Sequence, residues 1–162
     1  MELAEALAAH AVRELDNPHI AHWCAALRSG DYKQGTGVMK HIDSSTGKVS
    51  WCCLGVACDI GGALLTRGRD FGWDTEGGGF YYSTLPSLYV PGSQQGSSTR
   101  LPEYLREALD LDDARDESFF ASLNDGGQSF AYIADVLELG YRSGRPWPWA
   151  HGVLRSEPGQ AA

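Results

Sequence analysis

Positive charge is scarce in this chain: 13 Lys and Arg stand against 21 Asp and Glu, a formal net charge of -8 over 162 residues. A protein that grips a phosphate backbone electrostatically needs a basic surface. The densest basic stretch, TRGRD at 66–70, sets two arginines beside an aspartate, so nucleic acid is disfavoured as a partner. Long apolar runs are missing too, and nothing approaches the roughly 18 residues of a membrane span. The opening MELAEALAAHAVRELD carries three glutamates and one arginine, which is not the basic-then-apolar pattern of a secretory signal. A cytoplasmic location with reduced cysteines is the expectation. TEGGGF lacks the lysine of a phosphate loop, and the acidic residues Asp110, Asp112, Asp113, Asp116 and Glu117 lack the periodicity and central glycine of a calcium-binding hand. There is no internal repeat and no heptad pattern.

What is present suits one domain. A hydrophobic fraction of 43% and five Trp, seven Tyr and five Phe argue for a packed core. Leu3, Leu7, Ala11 and Leu15 form one stripe of an amphipathic helix, and Asn17-Pro18 caps a second that buries Ile20, Trp23, Cys24 and Leu27. These two helices are expected to pack as a pair. A hairpin is expected from Val38 to Ser50, turning at DSSTG, then a short helix from Trp51 to Ile60 stopped by Gly61-Gly62. Residues 61 to 100 hold nine glycines and the aromatic clusters FGW and GGGFYYSTLPSLYV, which suggests a long ordered loop, with GSQQGSST as its mobile part. Pro102 opens another helix, Phe119, Phe120 and Leu123 close a short one, and Ser129 caps a last one carrying Phe130, Ile133, Ala134 and Leu137. The fold class is helix-dominated α+β with about five short helices. A single globular domain is expected over 1–145, and an extended Trp/Pro tail over 146–162.

Three of the four cysteines fall within seven positions, in WCCLGVACD. If Ser50 caps the helix, Cys52 and Cys53 sit in its first turn, where free N–H groups and the helix dipole favour a thiolate. At 100° per residue Cys53 joins Val56, Ala57 and Ile60 on the apolar face, Cys52 lies on the flank as the better candidate for exposure, and Cys58 lies beside Leu54 on the far side. Cysteine also serves as a small hydrophobe, so core filling is the plain alternative. The CC....C spacing does not match a zinc site, and no metal or cofactor is implied. A nucleophile at Cys52 would need a base and a polar donor; in chain order these are Gln34 ahead of it, with His151 and Asn124 behind. Tyr32, Asn124, Asp125, Trp147 and Trp149 are the candidate ligand or partner surface, because NDGG can turn tightly and expose polar groups and the tryptophans lie in the tail.

The segments IAHWCAALRSGDYKQGTGVM, WCCLGVACDI, LPEYLREALDL and SLNDGGQSFAYIADVLE together resemble a poorly characterised family of small actinobacterial and bacteriophage proteins. That family carries a GxYxQG segment, a CCLGVxCD segment and an LND-G-SF-IAD segment. The resemblance spans roughly residues 19 to 138 and marks Tyr32, Gln34, Gly35, Cys52, Cys53, Gly55, Cys58, Asp59, Asn124 and Asp125 as family-like positions. It brings no activity with it. The expected function is a non-enzymatic accessory or interaction protein of phage-related or bacterial origin that binds a protein or small-molecule partner. The rival is a small cysteine-dependent hydrolase or transferase built on Cys52.

Overall fold

The computed structural model describes residues 1–65, 70–73, 80–83, 101, 103–111 and 114–156. Their elements run α1 (Leu3–His10), α2 (Pro18–Arg28), β1 (Lys40–Ile42), β2 (Val49–Trp51), α3 (Cys53–Leu65), β3 (Asp70–Trp73), β4 (Phe80–Ser83), α4 (Glu103–Ala108), α5 (Ala114–Asp125), α6 (Phe130–Ser143) and α7 (Trp147–Arg155). The class is helix-dominated α+β. Helix α2 packs across α6 and α3, α6 also carries α1 and α7, and α3 is covered by α5 and α4. Helix α1 therefore rests on α6 and α7 instead of pairing with α2 as expected. It ends at His10, so Leu15 is not part of it, and only Ala6 on it is fully buried.

Local signals place several boundaries. Asn17 Oδ1 accepts the N–H groups of His19 at 2.9 Å and Ile20 at 3.2 Å, with Pro18 in the first turn. Ser129 Oγ caps α6 by accepting Tyr132 N–H at 3.1 Å. Gly144 closes α6 at φ 66°, where the Arg145 N–H reaches Gly140 O at 3.1 Å. In the β1–β2 hairpin Lys40 faces Trp51, His41 faces Ser50 and Ile42 faces Val49. Asp43 Oδ1 holds its turn by accepting from Ser45 N–H at 2.8 Å and Thr46 N–H at 3.2 Å.

Further expectations need correcting. Ser50 lies in β2, so it does not cap α3. Trp51 is committed to strand-like pairing, with its N–H on Lys33 O at 2.8 Å and its C=O accepting Gly35 N–H at 2.7 Å, so the helix starts only at Cys53. Nor does α3 stop at Gly61-Gly62: a Cβ on Gly61 would meet Leu105 Cδ1 at 2.4 Å, so that glycine admits a close approach of α4 and the helix runs on to Leu65. The glycine- and aromatic-rich stretch is not one long loop, because β3 and β4 pair antiparallel, Asp70 with Ser83 and Trp73 with Phe80. GSQQGSST lies outside the described residues.

The C-terminal segment also departs from expectation. Residues 147–155 form a helix instead of an extended tail, adding to the five helices expected. Pro146 precedes it and Pro148 sits in its first turn, where the N–H that proline lacks has no intrahelical partner anyway. Trp147, Ala150, Val153 and Leu154 are buried. Trp147 joins an aromatic chain through the core: its ring is 5.3 Å from Phe120, which lies 5.7 Å from Trp23.

Candidate functional site

Four of the family-like positions, Gln34, Gly35, Cys53 and Asn124, meet where three backbone segments cross: the 33–35 stretch, the start of α3 and the end of α5. Asn124 is the hub and has no exposed surface. Its Oδ1 accepts Gln34 Nε2–H at 3.0 Å and the Cys53 N–H at 3.1 Å, while its Nδ2 donates to Gly35 O at 2.8 Å. Gln34 Nε2 also donates to Gln128 O at 2.6 Å, and Gln34 Oε1 accepts the Phe130 N–H at 3.2 Å. The two carboxamides thus join the start of α3, the loop before β1 and the α5–α6 turn. Asn124 is in the last turn of α5 and not in an exposed turn as the sequence suggested; Asp125 is exposed and accepts Gly37 N–H at 3.0 Å. Gly55 belongs to the same frame, since a Cβ there would stand 1.9 Å from Met39 O.

All four cysteines are free and buried. Cys52, expected on an exposed flank, is only 6% exposed, and its N–H donates to Met39 O at 3.0 Å. Burial raises its pKa, although the N–H groups of Gly55 and Leu54 at the start of α3 pull the other way. Burial pushes Cys24 up to about 12 and holds Cys53 and Cys58 well above the ordinary thiol value. Leu54 and Cys58, assigned to the far side of the helix, are buried alongside Cys53, Val56 and Ala57, while Ile60 is only half-buried. Helix α3 is covered on several sides, which a single-face reading of its first turns did not anticipate. Cys58 Sγ rests 3.6 Å from Met39 Sδ. Among the described residues no group of three His, Cys, Asp or Glu is arranged to hold a metal.

The remaining candidates lie apart from this hub. His151 is on α7, with Nδ1 2.6 Å from the Tyr132 hydroxyl and its ring against Phe119. Burial and the nearby Arg155 charge lower its pKa. Trp147, expected on a partner surface, is core: its Nε1 donates to Leu137 O at 3.3 Å and its ring fills the space over Gly140. Trp149 is half-buried between His10 and the Arg145 guanidinium, 4.8 Å from its ring centre. Tyr32 donates to Asp59 Oδ2 at 2.6 Å and packs edge-on against Trp51. Burial first, then that carboxylate, raises the phenol's pKa.

One feature was not legible in the sequence. At the C-terminal end of α6 an open cleft of about 550 Å³ is lined by Arg13, Asp110, Asp116, Tyr141, Arg145 and Trp147, among others. Arg13 Nε donates to Tyr141 O at 2.5 Å, and its guanidinium stacks 3.9 Å from the centre of the Tyr141 ring. The Tyr141 hydroxyl donates to Asp16. Asp110 holds a left-handed backbone, φ 54°, and accepts Asn17 Nδ2–H at 3.0 Å. These residues are scattered over 130 positions of chain; only the dense GYRSGR at 140–145 could have drawn attention to the place.

The class defined by this architecture is a small α+β domain with a polar brace around the buried Asn124. The chain belongs to a family described as a domain of unknown function (DUF8296), which matches residues 17–140. No curated protein and no solved structure matches it. No helix among the described residues is long and apolar enough to cross a membrane.

Proposed function

We propose that this chain is a non-enzymatic accessory or interaction protein, of phage-related or bacterial origin, that binds a protein or small-ligand partner. The observation that carries the reading is the state of the four thiols. A cysteine nucleophile acts as thiolate, and catalytic sites depress the thiol pKa to obtain it; here every thiol is buried and every one is shifted upward. Burial is the leading cause in each case, and it disfavours the thiolate at all four positions. The polar groups that a cysteine enzyme would use are engaged elsewhere. Both Gln34 amide hydrogens are donated within the brace, leaving none for an oxyanion, and His151 pairs with Tyr132.

With Trp147 in the core, the reading places binding at the cleft beside α6 and the Trp149 edge next to Arg145, while Tyr32 and Asp125 remain accessible candidates. Thiol alkylation followed against pH by mass spectrometry separates this reading from the cysteine-dependent hydrolase or transferase. All four cysteines are expected to react slowly in the folded protein and rapidly once it is unfolded. Fast, saturable labelling of Cys52 with a midpoint below the ordinary thiol value refutes the non-enzymatic reading.

A further inference from the structure

We propose that the cleft at the end of α6 binds a small zwitterionic ligand of short-peptide size, its carboxylate held by Arg13 and Arg145 and its ammonium group facing Asp110. This ligand class rests on the non-enzymatic binding reading above and deepens it.

The charges in the lining carry the assignment. Arg13 spends Nε on Tyr141 O and one face on the Tyr141 ring, which fixes the side chain; its two terminal nitrogens have no partner among the described residues. The Arg145 guanidinium lies against Trp149 and makes no hydrogen bond or ion pair with a described residue. Both residues line the cleft, and both guanidinium groups keep donors to spare for a carboxylate.

A simple polyanion does not fit the rest of the lining. Asp110 and Asp116 share the cleft with the arginines, and Asp16 stands on the Tyr141 hydroxyl beside it. The described lining holds two basic and two acidic side chains, in a chain whose net charge is -8. Phosphate brought to the arginines would share the cleft with these carboxylates, whereas a ligand with separated charges satisfies both sides. Asp110 suits the cationic end: its Oδ2 accepts from Asn17, and its other oxygen has no partner among the described residues. The indole of Trp147 and the ring of Tyr141 supply apolar wall between the charged ends. A cleft of about 550 Å³ exceeds what a single amino acid needs and accommodates two or three residues of peptide.

The test is a titration of the full chain by amide chemical shifts, with triglycine, N-acetyltriglycine, triglycine amide and inorganic phosphate as probes. Triglycine is expected to give saturable shifts at Gly140, Tyr141, Gly144 and Arg145, and each capped form to bind about tenfold or more weakly, since each loses one charge-assisted contact. Arg145→Gln is expected to weaken triglycine while leaving triglycine amide unchanged. Asp110→Asn, a residue that tolerates the left-handed backbone, is expected to weaken triglycine while leaving N-acetyltriglycine unchanged. Absence of saturable shifts, equal binding of free and capped peptides, or tighter binding of phosphate overturns the proposal. If that happens while the thiols stay unreactive, only the ligand class fails; rapid Cys52 labelling brings down the non-enzymatic reading itself.

Discussion

Replacing Asn124 with alanine tests whether the family-like positions form a brace. The substitution removes three hydrogen bonds, from Gln34 Nε2 and Cys53 N and to Gly35 O. Their worth is unequal. The Cys53 N–H is buried at the first residue of α3, where no intrahelical acceptor exists, so orphaning it costs about 1–3 kcal/mol. Gly35 O is half-buried, and Gln34 Nε2 keeps its bond to Gln128 O, so these two together add about 1 kcal/mol. The expected loss is about 3 kcal/mol, read as a fall in melting temperature of about 6–12 °C or in urea midpoint of about 1–2 M. Asp125→Ala, one position along at an exposed site with a single bond to Gly37 N–H, is the control and should cost less than about 1 kcal/mol.

Asn124→Asp sharpens the test, because it keeps the shape and replaces the Nδ2 donor with an oxygen opposite Gly35 O. Two acceptors then face each other in a buried site, which disfavours the charged carboxylate and raises its folded pKa above the unfolded value. A carboxylate shifted in that direction gives its best stability below the unfolded aspartate value of about 3.9, and loses it as pH rises through the folded value. The stability of Asn124→Asp relative to wild type should therefore improve on acidification. If Asn124→Ala costs no more than Asp125→Ala, or the aspartate variant shows no such pH dependence, the brace is misassigned.

Gly55→Ala discriminates packing from helix propensity. Alanine in a helix interior gains about 1 kcal/mol over glycine, but here the new Cβ would stand 1.9 Å from Met39 O, a backbone atom that cannot rotate away. A net loss of about 2 kcal/mol or more in urea denaturation is expected, and stabilisation would refute the close approach of α3 to Met39. His151 should titrate below the ordinary imidazole value, because burial and Arg155 both disfavour its charged form. With the folded pKa depressed, the unfolded chain binds more protons in the window between the two values, so this residue's contribution to stability falls as pH drops below about 6.5. An NMR titration placing His151 at or above that value would contradict its packing against Tyr132 and Phe119.

Some of this protein was decided within a few residues of chain. Asn17-Pro18 at the start of α2, Ser129 at the start of α6 and the DSSTG turn act on N–H groups two or three positions away, so their effect can be read wherever they occur. The stripe of Phe130, Ile133, Ala134 and Leu137 likewise requires an inward face whatever covers it. Burial of the cysteines and of Asn124 is a different kind of fact. The acceptor for the Cys53 N–H comes from 71 positions away, and Gln34 meets Asn124 across 90. Helical spacing makes Cys52 a flank position, but spacing describes one helix alone. Trp51, by pairing as a strand, moves the helix start past Cys52, and the elements packed around α3 remove the solvent that its flank would have faced. Trp147 follows the same logic, since two prolines in a short segment are compatible with an extended tail or a helix's first turn. The hollow over Gly140 that takes the indole exists only once α6 and α7 have come together.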